Sequence, residues 1–288
     1  MSSSRSRYAA DAAPSYRHRF HAGNVGDVWK HCALVEVLRR AAATSRTTRY
    51  VETHAGEGRY PLAPTGEWGE GIGRLWDVGG DAAAETGEGA IARYVALCRR
   101  LGSGTTRPES YPGSPLLARA VLGSEATLTL YERDADAFAS LSRHLASDAG
   151  ARLAHGDGFA ALTSLEDASV VLVDPPWTQK ADWTVVPDVL AAATRAAART
   201  CFLLWYPVKS LTRPNAMHAR LEAAGVSATF AELITTSLKH QRHRLNGSGV
   251  LLVHPPGGTL EALAAAAPVI GRRCATRAGA WSFRMQAW

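Results

Sequence analysis

The chain has 288 residues, of which 46% are hydrophobic, and it carries a formal net charge of +6 at neutral pH. This length and apolar content are enough for one large core, which predicts a soluble globular protein. No stretch reaches the roughly 18 uninterrupted apolar residues that a membrane span requires, and the first residues lack the apolar centre of a secretory signal. These features argue against a membrane protein, and we expect a cytoplasmic location.

The first residues and the cysteines set the expected domain limits and the compartment. Residues 1–14 are rich in Ser, Arg and Ala and are expected to form a disordered tail, although this composition also fits an organellar transit peptide. One domain is expected over residues 15–288. The four cysteines include no CxxC pair, so neither a zinc site nor a disulfide framework is indicated, and reducing cytosol is the natural compartment. They are Cys32, Cys98, Cys201 and Cys274.

Short apolar segments alternate along the chain with longer stretches of helical composition. This alternation is typical of an α/β fold built on a parallel sheet. The predicted strands are residues 47–53, 126–132, 151–157, 169–174, 200–207, 227–235 and 249–255. The predicted helices between them are residues 27–43, 114–123, 134–147, 187–199 and 214–225.

Two segments depart from this rhythm. Residues 62–111 are rich in Gly and Glu with one helical stretch near 88–101, and we interpret them as a helical insertion that packs on the sheet domain. The last two predicted strands are separated only by the turn-rich KHQRHRLNGSG, which predicts an antiparallel hairpin at one edge of a seven-stranded sheet. This segment and YRHRFH (16–21) concentrate basic residues, either as solvated surface or as contacts to phosphates.

Polar residues follow the first three predicted strands, at the edge where an open parallel sheet binds ligands. After the first strand, in ETHAGEGRY, Gly56 allows a tight turn close to a ligand and His54 can project toward it. Glu132 ends the second strand and suits the two hydroxyls of a ribose, and Asp157 ends the third strand and can accept the amino group of an adenine. Each feature also has a structural explanation, as a turn or a surface acid.

These three strand ends point to an adenosine with a group attached to it. The chain has no GxxxxGK[ST] phosphate-binding loop, which argues against nucleotide hydrolysis. Glycines followed by a ribose-binding acid and an adenine-binding acid favour S-adenosylmethionine as the ligand.

The fourth strand runs directly into DPPW, residues 174–177. The two prolines have no N–H, so the Asp174 carboxylate and the Pro175 carbonyl form a pair of acceptors for the two hydrogens of an exocyclic amine. Such a pair would concentrate the nitrogen lone pair toward an incoming methyl group, stabilise the charge that develops, and let Asp174 take the proton. Trp177 offers a flat face for a base removed from its stack. The structural alternative is a rigid strand exit with a buried tryptophan.

The chain resembles the RlmJ-type 23S ribosomal RNA adenine-N6 methyltransferases over nearly everything after residue 15. The resemblance implies a Rossmann-like class I methyltransferase domain with a small helical insertion, using S-adenosylmethionine to methylate N6 of one adenine. FHAGNVGDVWKH and PGSP are its most specific segments. The motifs that carry it are YRHRFHAGNVGDVWKH (16–31), ETHAGEGRY (52–60), YPGSPLLAR (111–119), LYERD (130–134), GDGF (156–159), DPPW (174–177) and LWYPV (204–208).

The resemblance also implies site residues. Asp174 would be the catalytic acceptor, Tyr16 would lie near the substrate base, and no metal is needed. Ser114 is in addition expected to cap a helix. The family commonly has Tyr where this chain has Trp177, and often Asp where it has Glu52. The cofactor contacts would be His31, His54, Ser114, Glu132, Asp157 and Gly158, with Lys30 beside them.

We therefore expect a monomeric enzyme that methylates adenine N6 in protein-free 23S RNA. Two alternatives stay open from the sequence. One keeps the chemistry but changes the acceptor to adenine in DNA or the side-chain amide of a protein Gln. The other is an RNA-binding assembly factor that has kept the fold and lost catalysis.

Overall fold

A computed structural model describes residues 18–44, 48–78, 89–163, 165, 170–238 and 245–288. The tail expected over residues 1–14, Tyr16 and part of the basic segment between the last two predicted strands lie outside the described residues.

Within the described chain, eight strands form one sheet and two short strands form a second. The order in the large sheet is β10-β8-β9-β7-β6-β1-β4-β5, and β2 pairs with β3. The strands are β1 (Arg49–Glu52), β2 (Arg59–Pro61), β3 (Ser110–Pro112), β4 (Thr127–Glu132), β5 (Ala151–His155), β6 (Val170–Val173), β7 (Cys201–Val208), β8 (Thr229–Ile234), β9 (Gly247–Val253) and β10 (Ser282–Ala287).

The central strands β7, β6, β1, β4 and β5 are parallel to one another, and β9 runs antiparallel to both β7 and β8. The predicted α/β class is confirmed, and all seven predicted strands form within two residues of their expected bounds. The prediction of seven strands was wrong by one, because β10 pairs antiparallel with β8. The β8–β9 hairpin was expected at the edge of the sheet. It lies one strand inside the edge, because β10 occupies the edge position.

Helices cover both faces of the sheet. Strand β6, Val-Val-Leu-Val, is buried on both faces, which is typical of a central parallel strand. The helices α2, α3, α4 and α9 pack together on one face, and α6, α7 and α8 pack on the other. The helices are α1 (His18–His21), α2 (Val25–Thr44), α3 (Gly89–Leu101), α4 (Ser114–Leu122), α5 (Ala135–His144), α6 (Gly158–Leu162), α7 (Asp182–Ala196), α8 (Thr212–Ala223) and α9 (Thr259–Cys274).

The segment between β2 and β3 contains two 3-10 helices, Glu67–Glu70 and Ile72–Leu75, followed by α3. It packs closely on the turn before α2: the Ile72 amide donates to the Gly23 carbonyl at 2.9 Å. A Cβ at Gly71 would lie 2.1 Å from that same carbonyl oxygen, so only glycine permits this approach. The segment is thereby held against the helix that leads into the site described below.

Two further features complete the fold. All four cysteines are buried and none forms a disulfide. Within the described ranges, no helix combines the length and the apolar character needed to cross a membrane.

Candidate active site

The strand order reverses direction between β1 and β6, and the carboxyl ends of these two neighbours are where an open α/β sheet binds its ligands. Glu52 is the last residue of β1, and its register partner on β6 is Leu172, two residues before Asp174. The Thr53 amide continues the pairing by donating to the Leu172 carbonyl at 3.1 Å. The sheet itself thus places Glu52 and Asp174 side by side.

The start of helix α2 brings a lysine to the same place. Asn24 accepts a hydrogen bond from the Asp27 amide at 3.0 Å, and Asp27 Oδ2 accepts one from the Gly23 amide at 2.9 Å. The first of these bonds satisfies an amide that the first turn of a helix leaves unpaired, and the second ties Asp27 to the turn before the helix. Because the helix start is fixed in this way, Lys30 lies one turn further along, on the same face as Asp27.

Lys30 forms two buried ion pairs. Its Nζ lies 2.7 Å from Asp174 Oδ2 and 2.8 Å from Asp27 Oδ1, and it stands 5.5 Å from the centroid of the Trp205 ring. Burial on its own lowers the pKa of Lys30, but the two carboxylates outweigh burial and the pKa is raised above its ordinary value. Lys30 is therefore a cation that stabilises the ionised form of Asp174 and fixes its orientation.

Glu52 is fully buried beside this ion pair. Tyr50 Oη donates to its Oε2 at 3.0 Å, and the Ser114 hydroxyl donates to its Oε1. Burial raises the pKa of Glu52 to about 8, even though the Ser114 hydrogen bond favours the ionised form, and the charge of Asp174 raises it further. Glu52 therefore holds a proton over most of the neutral range.

This raised pKa predicts how stability depends on pH. Between the ordinary value of 4.5 and about 8, the folded protein holds a proton on Glu52 that the unfolded chain has lost. Glu52 contributes most to the free energy of unfolding below pH 4.5, where it is protonated in both states. Between pH 4.5 and about pH 8 this contribution falls by about 1.4 kcal/mol per pH unit. Glu52→Gln removes this dependence, so the variant should gain stability relative to the parent as the pH rises. Urea unfolding at pH 5, 6.5 and 8 measures the difference; a difference that does not change with pH would contradict the assignment.

The glycine-rich turn after β1 is tied to the end of β4. The Gly56 amide donates to Glu132 Oε2 at 2.8 Å, and the Asp134 amide donates to Glu132 Oε1 at 2.8 Å. Gly56 has a φ of 64°, and a Cβ there would lie 2.1 Å from Tyr60 Oη. The Glu132 carboxylate is thus oriented by two backbone amides, and each of its oxygens keeps capacity to accept a further hydroxyl.

The turn after β5 approaches the end of β1 equally closely. Asp157 caps helix α6, because its Oδ1 accepts a hydrogen bond from the Phe159 amide at 2.9 Å. Gly158 packs directly on the β1 backbone: a Cβ at this position would lie 2.1 Å from the Thr53 carbonyl oxygen. The predicted residues Gly56, Glu132, Asp157 and Gly158 therefore form one continuous rim around the end of β1.

His54 lies on this rim as a neutral imidazole. Burial lowers its pKa to about 3, and the positive charge of Arg133 adds to this effect. Its Nδ1 is 2.8 Å from the Thr53 hydroxyl, and its ring makes an edge contact with Phe159 at 4.9 Å between centroids. The ring is thereby fixed against the start of α6.

His31 and Ser114 lie on α2 and α4, which pack together on the face of the sheet opposite to α6. His31 is buried next to Lys30 on α2, and its Nδ1 lies 2.6 Å from Tyr111 Oη. Ser114 was expected to cap α4, but this was wrong: Gly113 occupies the cap position, and Ser114 is the first helical residue. Its hydroxyl donates to the buried Glu52 carboxyl instead of capping the helix.

The residues after Asp174 form a constrained turn. Pro175 is buried and Pro176 is exposed. Trp177 has a φ of 53°, which is strained for a residue other than glycine, and its side chain is only 9% exposed. The indole N–H donates to the Trp205 carbonyl at 3.0 Å, and the ring lies against Trp183 with 4.4 Å between centroids. In this conformation Trp177 offers no open face, so its role as a base platform stays a prediction.

Three features of the site were not predicted from the sequence. They are the roles of Asp27 and Tyr111 and the burial of Glu52. The i,i+3 spacing of Asp27 and Lys30 in DVWK was a signal for the first of them, since side chains three residues apart share a helix face. Among the residues that the structure describes, no group of three or more His, Cys, Asp or Glu side chains is placed to hold a metal ion. Tyr16 lies outside the described residues.

A mostly parallel sheet with a glycine turn after β1, an acid at the end of β4 and another after β5 is typical of a Rossmann-like α/β fold. Comparisons with known proteins agree. The sequence profile described as "Ribosomal RNA large subunit methyltransferase D, RlmJ" matches residues 45–287. The chain thus belongs to the RlmJ family of ribosomal RNA large subunit methyltransferases, as the resemblance predicted.

Two relatives, both named "Ribosomal RNA large subunit methyltransferase J", are 32% identical to the chain. The protein from Haemophilus influenzae aligns over 256 residues, which cover 86% of this chain and 89% of the relative. The protein from Escherichia coli aligns over 252 residues, 84% of this chain and 87% of the relative. The crystal structure of protein LPL1258 from Legionella pneumophila has the same fold, with a TM-score of 0.82 at 22% identity, over 93% of this chain and 98% of that one.

Proposed function

We propose that this methyltransferase transfers a methyl group from S-adenosylmethionine to N6 of one adenine in 23S ribosomal RNA. The observation that carries the proposal is the buried Lys30–Asp174 ion pair at the strand-order reversal, followed directly by a proline carbonyl. The names of the two relatives support large-subunit ribosomal RNA as the substrate. We further propose that the enzyme is a cytoplasmic monomer and acts on RNA that does not yet carry ribosomal proteins.

The donor set around β1 fits S-adenosylmethionine. A Cβ at Gly56 would collide with Tyr60 Oη and one at Gly158 with the Thr53 backbone, so glycine lets these two turns pack closely around the end of β1. Glu132 is oriented to accept ribose hydroxyls, and the second oxygen of Asp157 can accept the adenine amino group. The neutral His54 suits the uncharged part of the ligand. We assign His31, Ser114 and Lys30 to the end of the pocket nearest Asp174.

When bound, S-adenosylmethionine supplies an activated methyl group on a positively charged sulfur. The protein acts on the other reactant. We assign the Asp174 carboxylate and the Pro175 carbonyl as acceptors for the two hydrogens of adenine N6, which directs the nitrogen lone pair toward the methyl group. As the N6–C bond forms, the bond between that methyl group and sulfur would break with its electron pair left on sulfur. The nitrogen must then release one proton, and Asp174 is the acceptor we assign.

Lys30 has a positioning role in this scheme. Its ion pair occupies Asp174 Oδ2, so the carboxylate is held in one orientation before the substrate arrives. Asp27, which is buried, anchors the same ammonium, so two carboxylates fix the position of Lys30 and Lys30 in turn orients Asp174. We assign Tyr16 and Trp177 to the substrate base. Trp177 would reach the base after the turn that holds it changes conformation, and the strained φ of Trp177 favours such a change.

Incubation with labelled S-adenosylmethionine tests the proposal. Naked 23S RNA, assembled large subunits, DNA and a protein substrate are offered separately, and nuclease treatment of the product shows which polymer carries the label. We expect label on naked 23S RNA. Label confined to DNA or to protein would overturn the proposal, and cofactor binding without any transfer would favour an inactive assembly factor.

A further inference from the structure

A chain of buried hydroxyl groups connects the insertion to the candidate active site. His31 Nδ1 lies 2.6 Å from Tyr111 Oη, and Tyr111 Oη lies 2.7 Å from Tyr94 Oη. The rings of His31 and Tyr111 are stacked at 5.5 Å between centroids with an interplanar angle of 23°. All three residues are at most 1% exposed to solvent. The three residues come from three separate elements: α2, β3 and the insertion helix α3.

The phenol groups stay protonated in this environment. Burial raises the pKa of both Tyr94 and Tyr111 well above the ordinary value. A protonated phenol can donate one hydrogen bond and accept another, so Tyr111 can serve His31 and Tyr94 at the same time. A buried imidazole that lost this partner would leave a polar nitrogen to be satisfied elsewhere, which is costly.

We propose that Tyr111 and Tyr94 are positioning residues that fix the orientation and tautomer of His31, and that they join the insertion to the cofactor pocket. This inference rests on the proposed function, since it assumes that His31 contacts the cofactor. The same short segment also carries Ser114, three residues after Tyr111, whose hydroxyl donates to Glu52. One short segment therefore orients two groups of the site.

The insertion supplies the outer support. Tyr94 lies on α3 and also shares a hydrogen bond with the Cys98 thiol one turn further along. Helix α3 packs against α2, which carries His31 and Lys30. The insertion is thus part of the scaffold of the pocket, and its removal would leave His31 without the outer half of its hydrogen-bonded chain.

Calorimetric titration with S-adenosylmethionine tests the inference on the full chain. Tyr111→Phe removes only the hydroxyl, and we expect the dissociation constant to rise about tenfold, the size of one lost buried hydrogen bond. Tyr94→Phe leaves the bond to His31 in place, and we expect a rise of about two- to threefold. The turnover number at saturating cofactor should stay within about twofold of the parent in both variants, because neither hydroxyl contacts the reacting amine.

Tyr206→Phe is the matched control. Tyr206 is equally buried, and its hydroxyl links His218 at 2.9 Å to Glu232 at 3.0 Å in a separate network. We expect unchanged cofactor affinity in this variant, and a change in the ¹⁵N resonances of His31 only in the Tyr111 and Tyr94 variants. Parental affinity in Tyr111→Phe, or an equal loss in Tyr206→Phe, overturns the inference. If the parent itself fails to bind S-adenosylmethionine, the proposed function fails instead.

Discussion

Replacing Asp174 with alanine is expected to lower the rate of RNA methylation by roughly 10²- to 10⁴-fold, the range for loss of a group that acts on a proton or on developing charge. Binding of S-adenosylmethionine should remain, because Gly56, Glu132 and Gly158 hold their positions through contacts that do not involve Asp174. Single-turnover methylation of 23S RNA and calorimetry of the cofactor measure the two effects separately.

The alanine variant also removes one partner of a buried cation. Lys30 keeps Asp27, so we expect the free energy of unfolding to fall by roughly 2–3 kcal/mol, somewhat less than for a buried charge left alone. Asp174→Asn is the control for this loss, because it keeps the shape of the side chain and an acceptor for Lys30. Its methylation rate should lie between the parent and the alanine variant. A parental rate in Asp174→Asn would show that neither the charge nor the proton acceptor is needed.

Gly158→Ala is expected to distort the site that we propose for S-adenosylmethionine. The new Cβ would lie 2.1 Å from the carbonyl oxygen and 2.5 Å from the Cα of Thr53, and both are backbone atoms that cannot rotate away. The turn before α6 must move away from β1, at a cost of roughly 1–3 kcal/mol in stability. We expect the dissociation constant of S-adenosylmethionine to rise about 10- to 100-fold.

Gly156→Ala provides the comparison two residues earlier. A Cβ at Gly156 meets no atom within 4 Å, and the residue lies on the same turn after β5. This variant should bind the cofactor as the parent does and unfold at the same denaturant concentration. If both alanine variants lost affinity equally, flexibility of the turn would explain the loss, and the close contact with Thr53 would not.

The central strands could be predicted from the sequence because their apolar runs are long and clearly bounded. The omissions have physical causes. Strand β10 is half polar and becomes a strand only because it pairs with β8, where Arg284 reaches the buried Glu232. Strands β2 and β3 have three residues each, too few to show a period. Helix α9 contains Pro268, a residue that usually interrupts a helix.

The candidate site could also be predicted from the sequence only in part. Glu132, Asp157 and Asp174 follow parallel strands, and the ends of parallel strands meet at one edge, so their proximity follows from the fold class. The Lys30–Asp174 pair joins residues 144 positions apart and depends on how α2 packs on the sheet. The closed environment of Trp177 depends on Trp183 and on the Trp205 carbonyl. Contacts of this kind are set by packing between elements, which no local pattern encodes.

Mass spectrometry of nuclease-digested 23S RNA tests the central claim most directly, after naked RNA has been incubated with the protein and S-adenosylmethionine. We expect N6-methyladenosine at a single nucleotide, formed roughly 10²- to 10⁴-fold more slowly when Asp174→Ala replaces the parent protein. Methylation of a ribose or of a ring carbon would contradict the roles of Asp174 and Pro175, because these acceptors suit an exocyclic amine. Methylation of the amine of guanine or cytosine would contradict the assignment of adenine as the substrate base.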